Sequence, residues 1–115
     1  MARAANPRFL QAWLAALTEG QRFAGYVIWK SGARQWVNEH LEGYRLDEVE
    51  WLLYQHVAGG GTLEQVEERR EAWMDCKYHF DVRFEIEGTM IYFETVLLRD
   101  DPEDPLISIV SVHLV

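Results

Sequence analysis

A histidine, two carboxylates and an arginine fall in a part of the chain where polar and apolar residues alternate. His79, Asp81 and Arg83 occupy every second position of residues 78–86, and Glu94 follows in a second run. A period of two predicts β-strands, in which every second side chain projects from the same face. Such a set could perform acid–base chemistry, with a histidine as the base, a carboxylate that orients it and Arg83 stabilising an oxyanion.

A tight turn would bring the two runs together. The pair Glu87-Gly88 can form a two-residue hairpin loop, because glycine readily adopts the positive φ that such loops require. Registered on this loop, one face of the hairpin is almost entirely apolar; its pairs are Ile86 with Thr89, Phe84 with Ile91, Val82 with Phe93, Phe80 with Thr95, and Tyr78 with Leu97. The other face carries the polar pairs, which are Glu85 with Met90, Arg83 with Tyr92, Asp81 with Glu94, and His79 with Val96.

The opposed carboxylates of Asp81 and Glu94 need compensation, since like charges directly across a sheet are destabilising. A proton on one carboxyl, Arg83 as a diagonal neighbour, or a metal ion could each supply it. A third strand over 106–115 would add Ser111 and His113 to this face; its inward residues would then be Leu106, Val110, Val112 and Leu114. The predicted binding residues are therefore His79, Asp81, Arg83, Tyr92, Glu94 and His113.

A solvated sheet face remains the alternative to a site, because alternating strands routinely present polar residues to water. No metal-binding signature such as H-E-x-x-H or C-x-x-C is present, so no cofactor is predicted.

The first two-thirds of the chain predicts helices. Apolar residues recur at helical spacing after Asn6-Pro7, after Ser31, after Asp47 and after Thr62; the predicted helices cover 7–18, 33–42, the stretch from Asp47 to Gly59, and 63–74. The Asp47/Glu50 and Thr62/Gln65 pairs have capping-box spacing. Residues 22–30 are compatible with either a strand or a helix. The whole predicts one α+β domain over 1–115, with N-terminal helices packed on one face of a C-terminal antiparallel three-stranded meander, to which 22–30 could add a fourth strand.

Charge and cysteine content limit the function classes. The chain has 115 residues, with 11 Lys and Arg against 19 Asp and Glu, which gives a formal charge of −8. This charge disfavours nucleic-acid and anionic-membrane partners, and it suits a basic partner, a cationic ligand or simple solubility. A single cysteine, Cys76, excludes an intramolecular disulfide. With no signal peptide or membrane span recognised, a cytoplasmic location is expected.

The helix that begins near Asp47 predicts self-association. Trp51 and Tyr54 fall off its Leu52, Leu53 and His56 stripe, so the helix is apolar nearly all round. Such a helix needs cover on two sides, which a homo-oligomer would supply.

The hairpin carries a resemblance. Residues 78–88, continuing through 91–95, resemble short uncharacterised bacterial proteins carried on mobile DNA, including integron gene cassettes. The resemblance implies a small cytoplasmic α+β protein, often oligomeric and sometimes with a pocket. It implies no catalytic residues.

Three functional hypotheses follow. The first is a non-enzymatic, homo-oligomeric module that holds a small molecule between the polar sheet face and neighbouring aromatic residues. The second is an acidic inhibitor, antitoxin or immunity-type protein, which would bind a basic protein through carboxylates of one loop; these are Asp100, Asp101, Glu103 and Asp104. The third is a small enzyme that uses His79 or His113 with the carboxylates, so enzymatic activity is left open.

Overall fold

The computed structural model describes residues 2–22, 25–71 and 76–115, which form three helices and a six-stranded sheet. In chain order the elements are β1 (Ala2–Ala4), α1 (Pro7–Gly20), β2 (Val27–Trp29), α2 (Ser31–His40), α3 (Leu46–Ala58), β3 (Glu64–Glu67), β4 (Tyr78–Ile86), β5 (Thr89–Arg99) and β6 (Leu106–Leu114). The strands lie in the order β1-β3-β4-β5-β6-β2, and every neighbouring pair is antiparallel except β2 and β6. The α+β class is confirmed, but the prediction of three or four strands is wrong.

The central hairpin has the predicted register. Glu87 and Gly88 both have positive φ, at 50° and 82°, which is the backbone of a type I′ turn. The pairs run as predicted from Ile86 opposite Thr89 to Phe80 opposite Thr95. The third strand, β6, lies directly beside β5.

The inward residues of β6 differ from the prediction because the strand contains a bulge. Glu94 pairs with Ser111, but Thr95 pairs with Ile109, so Val110 is an extra residue. One extra residue reverses which side chains face the core on either side of it. Ile107 and Ile109 are therefore buried instead of the predicted Leu106 and Val110, while Val112 is buried as predicted. Leu114 lies on the same face as Val112, opposite Ile91, but is 56% exposed.

The helices bury apolar stripes against the sheet. α1 begins as predicted, with the Asn6 side chain accepting a hydrogen bond from the Arg8 backbone N–H. Its buried residues are Ala12, Trp13, Ala16 and Leu17. α3 begins one residue before Asp47, and Glu48 rather than Glu50 accepts from the Arg45 backbone N–H. Glu50 instead points inward and is buried.

The predicted helix over 63–74 is wrong over its first part, and residues 72–74 lie outside the described residues. β3 occupies Glu64–Glu67 and is held on both sides, by β1 and by β4. Two rows of sheet hydrogen bonds outweigh the weak helical preference of so short a stretch. The ambiguous stretch 22–30 contains strand β2, while residues 23 and 24 lie outside the described part. Within the described ranges, no helix is long and apolar enough to cross a membrane.

Candidate functional site on the polar face of the sheet

The six predicted binding residues lie on the sheet face opposite the α1-packed core, here called the polar face; its members are His79, Asp81, Arg83, Tyr92, Glu94 and His113. Strand register brings them together. Across β4, β5 and β6, Arg83 pairs with Tyr92 and Tyr92 with His113. In the next row Asp81 pairs with Glu94.

Asp81 lies at the centre of one group of contacts on the polar face. It is only 4% exposed, and its Oδ1 lies 2.8 Å from Nδ1 of His79. The Tyr92 phenol lies within reach of the charge of the same carboxylate. Burial, together with the nearby Asp81 carboxylate, raises the pKa of Tyr92 above its usual value, so the phenol stays protonated.

Glu94 has a different partner, Arg70, which reaches it from the connection between β3 and β4. The same guanidinium binds Glu68, with Nη2 2.8 Å from Oε2. Hydrogen bonds from Arg70 hold the pKa of the Glu68 carboxyl at about 2. Arg70 therefore binds two carboxylates at once, one of them buried in the sheet, and its single positive charge is shared between them.

Arg83, one of the three alternatives for compensating the opposed carboxylates, has other partners in the structure. Its Nη1 lies 2.5 Å from Oε1 of Glu64 on β3. Its guanidinium carbon also lies 4.7 Å from the centre of the Tyr92 ring. Arg83 thus ties the edge of the face to β3 and flanks Tyr92.

A row of three planar groups crosses the face. The guanidinium of Arg83 packs on one side of Tyr92, and the His113 ring lies 4.6 Å from the Tyr92 ring at 32°. β2 pairs with β6 only at Ile107–Ile109, so among the described residues no strand flanks His113 on the side away from β5. The row is therefore open at its His113 end, where the histidine is exposed.

The geometry of the polar face bears on two of the functions considered above, acid–base catalysis and metal binding. The His79–Asp81 contact has the arrangement of a base and its orienting carboxylate, so the enzyme hypothesis remains a prediction. For a metal, no three His, Cys, Asp or Glu side chains of the described residues lie close enough together to hold the ion.

Three residues that bind the polar face, Arg70, Glu68 and Glu64, were not predicted as site residues because all three fall in the helix predicted over 63–74. One signal was available. Ion pairs join Glu67 to Arg69 and Glu68 to Arg70, at a spacing of two. Helices favour charge pairs three or four residues apart, whereas an extended chain brings residues two apart to the same side.

The carboxylates predicted to bind a partner lie together on the loop between β5 and β6. All four, Asp100, Asp101, Glu103 and Asp104, are exposed. Asp104 pairs with Arg99, with Oδ2 3.3 Å from Nε, and Asp101 accepts from the Glu103 backbone N–H.

Comparison with protein-family models, with curated proteins and with solved structures finds no match to this chain. The resemblance to proteins carried on mobile DNA therefore stays a prediction.

Proposed function

We propose that the protein is a non-enzymatic, cytoplasmic binding module that holds a small planar molecule on the polar face. The observation that carries the proposal is the row of Arg83, Tyr92 and His113. A planar ligand would continue this row by stacking on the outer face of His113. Ring stacking of this kind is worth about 1–3 kcal/mol per ring.

Neighbouring carboxylates hold the residues of the row in place, which favours a binding site over a sheet face that only contacts water. Asp81 lies beside Tyr92 and keeps the phenol protonated, and Glu64 forms an ion pair with Arg83. Groups that are ordered before a ligand arrives lose little entropy when it binds. Buried carboxylates with their own partners also give the row a rigid base.

The test is a thermal-shift measurement with three neutral planar compounds, adenine, nicotinamide and uracil. A ligand that binds the native state raises the melting temperature by mass action. We expect at least one of them to stabilise the wild-type protein, and we expect His113→Ala to weaken that binding about tenfold. Tyr92→Leu removes the middle of the row and should abolish the shift.

Glu85→Gln is the matched control, because Glu85 is exposed on the same sheet face, two residues from Arg83, and lies outside the row. Its response should equal that of the wild type. If no compound shifts the wild type, or if His113→Ala responds fully, the site is not on this row.

The proposal includes a homo-oligomer formed through α3. Trp51 is 42% exposed and stacks on Tyr54, with ring centres 5.1 Å apart. A second copy of the chain covering this pair would remove the largest exposed aromatic surface of α3 from water. Sedimentation should show concentration-dependent association that Trp51→Ser abolishes, and a strict monomer at high concentration would contradict it.

The exposed β5–β6 loop favours a second candidate function, an acidic inhibitor of a basic protein. Three of its carboxylates have no basic partner among the described residues, namely Asp100, Asp101 and Glu103. Complementary charge of this kind accelerates association with a basic surface. This candidate predicts a basic partner that wild type captures and that a variant with all four loop carboxylates neutralised does not.

A further inference from the structure

A cleft of about 590 Å³ opens beside β1 and β3; none of the six residues of the polar face lines it. Its lining includes Arg3, Gln65, Lys77 and Tyr78. Arg3 lies directly opposite Gln65 in the sheet, and its guanidinium carbon sits 5.8 Å from the centre of the Tyr78 ring. The volume falls within the range of small-molecule sites.

Gln65, which lines this cleft, has a side-chain N–H group that lacks a hydrogen-bond acceptor. The residue is 1% exposed, and its Oε1 accepts from the Asn6 backbone N–H at 2.9 Å. Its Nε2, which can donate twice, has no hydrogen-bond partner among the described residues and is closed off from solvent. An unsatisfied buried amide is destabilising, and a rotation of the Gln65 side chain toward the cleft would let a ligand oxygen supply the missing acceptor.

The charges around the cleft favour an anion. Glu67 and Glu68 also line it; Arg69 pairs with Glu67, and Arg70 is shared between Glu68 and Glu94. In contrast, Arg3 and Lys77 have no carboxylate partner among the described residues. The cleft therefore offers two cations without a carboxylate partner, together with the neutral amide of Gln65.

A second cleft of about 280 Å³ adjoins the first one, because Cys76, Lys77 and Tyr78 line both; the charged residues Arg99 and Asp100 also line it. The apolar side chains that line it are Phe9, Tyr78, Phe80, Leu97 and Leu98. The rings of Phe9, Tyr78 and Phe80 lie 5.7 to 6.4 Å apart and are inclined to one another, so they form a corner rather than a flat wall. Such a corner accepts a ring or a branched aliphatic group.

We propose that the two clefts form one site for a small organic carboxylate that carries an aromatic or branched apolar group. The carboxylate meets Arg3, Lys77 and the Gln65 amide, and the apolar group enters the corner formed by Phe9, Tyr78 and Phe80. This site shares no residue with the polar face and goes beyond the function proposed for that face.

The experiment uses 3-phenylpropionate as the probe, with calorimetry for affinity and ¹H–¹⁵N spectra for location. 3-Phenylpropanamide lacks the charge and propionate lacks the ring, so both serve as matched ligands. We expect 3-phenylpropionate to bind at least about tenfold more tightly than either, because one charge-assisted hydrogen bond or one buried ring is worth that much. The side-chain amide signals of Gln65 and the backbone signals of Lys77 and Tyr78 should shift.

Two variants test the assignment of residues. The double variant Arg3→Gln/Lys77→Gln should lose at least about tenfold in affinity for 3-phenylpropionate. The double variant Arg8→Gln/Arg34→Gln removes the same charge from exposed positions outside both clefts and should bind as wild type does.

Gln65→Glu keeps the acceptor for the Asn6 N–H but presents a carboxylate to the ligand, so it should also weaken binding. The Arg3 and Lys77 variant covers the case in which Gln65→Glu does not fold. Tyr92→Leu, on the polar face, should bind 3-phenylpropionate normally, which separates this site from the one proposed above. No binding by wild type at millimolar probe, equal binding of the propanamide, or unchanged affinity in Arg3→Gln/Lys77→Gln would each overturn the proposal.

Discussion

Asp81 and Glu94 lie directly opposite each other on β4 and β5, yet the two carboxylates are bound by different partners. Asp81 is hydrogen-bonded to His79, whereas Glu94 is bound by Arg70 from the β3–β4 connection. Both carboxylates are nearly buried, so each depends on its own donors to remain in the sheet.

Loss of Arg70 should therefore destabilise the protein more than loss of a neighbouring arginine. Arg70→Met keeps the apolar stem but leaves Glu94 and Glu68 without their donor, and we expect a loss of about 1–2 kcal/mol in the free energy of unfolding. Arg69→Met is the control, because Arg69 pairs with Glu67 at an exposed site and should change stability by less than about 0.5 kcal/mol. Urea unfolding at pH 7 measures both; equal losses would contradict a special role for Arg70.

The loss of stability at acid pH should depend on the ion pair between Arg70 and Glu68. Arg70 lowers the pKa of Glu68 from 4.5 to about 2 in the folded protein. Between these values the unfolded chain binds more protons than the folded one, so stability rises with pH. The contribution of Glu68 is therefore present above about pH 4.5 and is lost as the pH falls toward 2. Unfolding followed from pH 6 to pH 2 should show a shallower decline in Arg70→Met than in wild type.

Glu50 should have the opposite pH dependence. Burial raises the pKa of its carboxyl from 4.5 to about 7, although the Trp29 indole N–H donates to Oε2 at 2.9 Å. Between pH 4.5 and 7 the folded protein binds more protons than the unfolded chain, so the contribution of Glu50 to stability falls as the pH rises. Glu50→Gln keeps an acceptor for Trp29 and should stabilise the protein by about 1–3 kcal/mol at pH 8, with little effect at pH 4.5. Urea unfolding of both proteins at the two pH values measures this; a gain that is equal at both would show that the charge is not its source.

A side chain at position 61 should destabilise the protein while His56 is present. A Cβ at position 61 would overlap the imidazole of His56, which stacks on Phe84 with ring centres 4.8 Å apart. Gly61→Ala should displace this ring and cost about 1–2 kcal/mol, the range expected for a disturbed ring contact and local strain. In a His56→Ala background the same change should cost little, so a double-mutant cycle should give a clear coupling energy. An additive cycle would mean that the backbone, rather than the imidazole, excludes the methyl group.

The hydroxyl of Thr95 should contribute more to the stability of the protein than the shape of its side chain does. Trp13 Nε1 donates to Thr95 Oγ1 at 2.9 Å, and that hydroxyl donates to the Phe80 carbonyl at 2.8 Å. Thr95→Val preserves the volume but leaves the buried indole N–H without an acceptor, at a cost of about 1–3 kcal/mol. Thr95→Ser keeps the hydroxyl and should lose only about 0.8 kcal/mol for the missing methyl group. Thermal unfolding ranks the two, and a greater loss in the serine variant would contradict the hydrogen-bond explanation.

The part of the candidate site that could be predicted is the part that depends on local pairing. Alternation along residues 78–86 and 89–97, with a turn that accepts positive φ at Glu87 and Gly88, is sufficient to set the register of the central hairpin. That register alone places Arg83 beside Tyr92 and Asp81 opposite Glu94.

Tertiary structure decided the features that depend on contacts between distant parts of the chain. Glu64–Glu67 became a strand because β1 and β4 supply hydrogen-bond partners from distant parts of the chain. The same connection carried Arg70 to Glu94, 24 residues away, which no local pattern specifies. Local sequence sets the preferences of short segments, but long-range pairing and burial choose between them, since only the assembled sheet satisfies the backbone and the buried charges together.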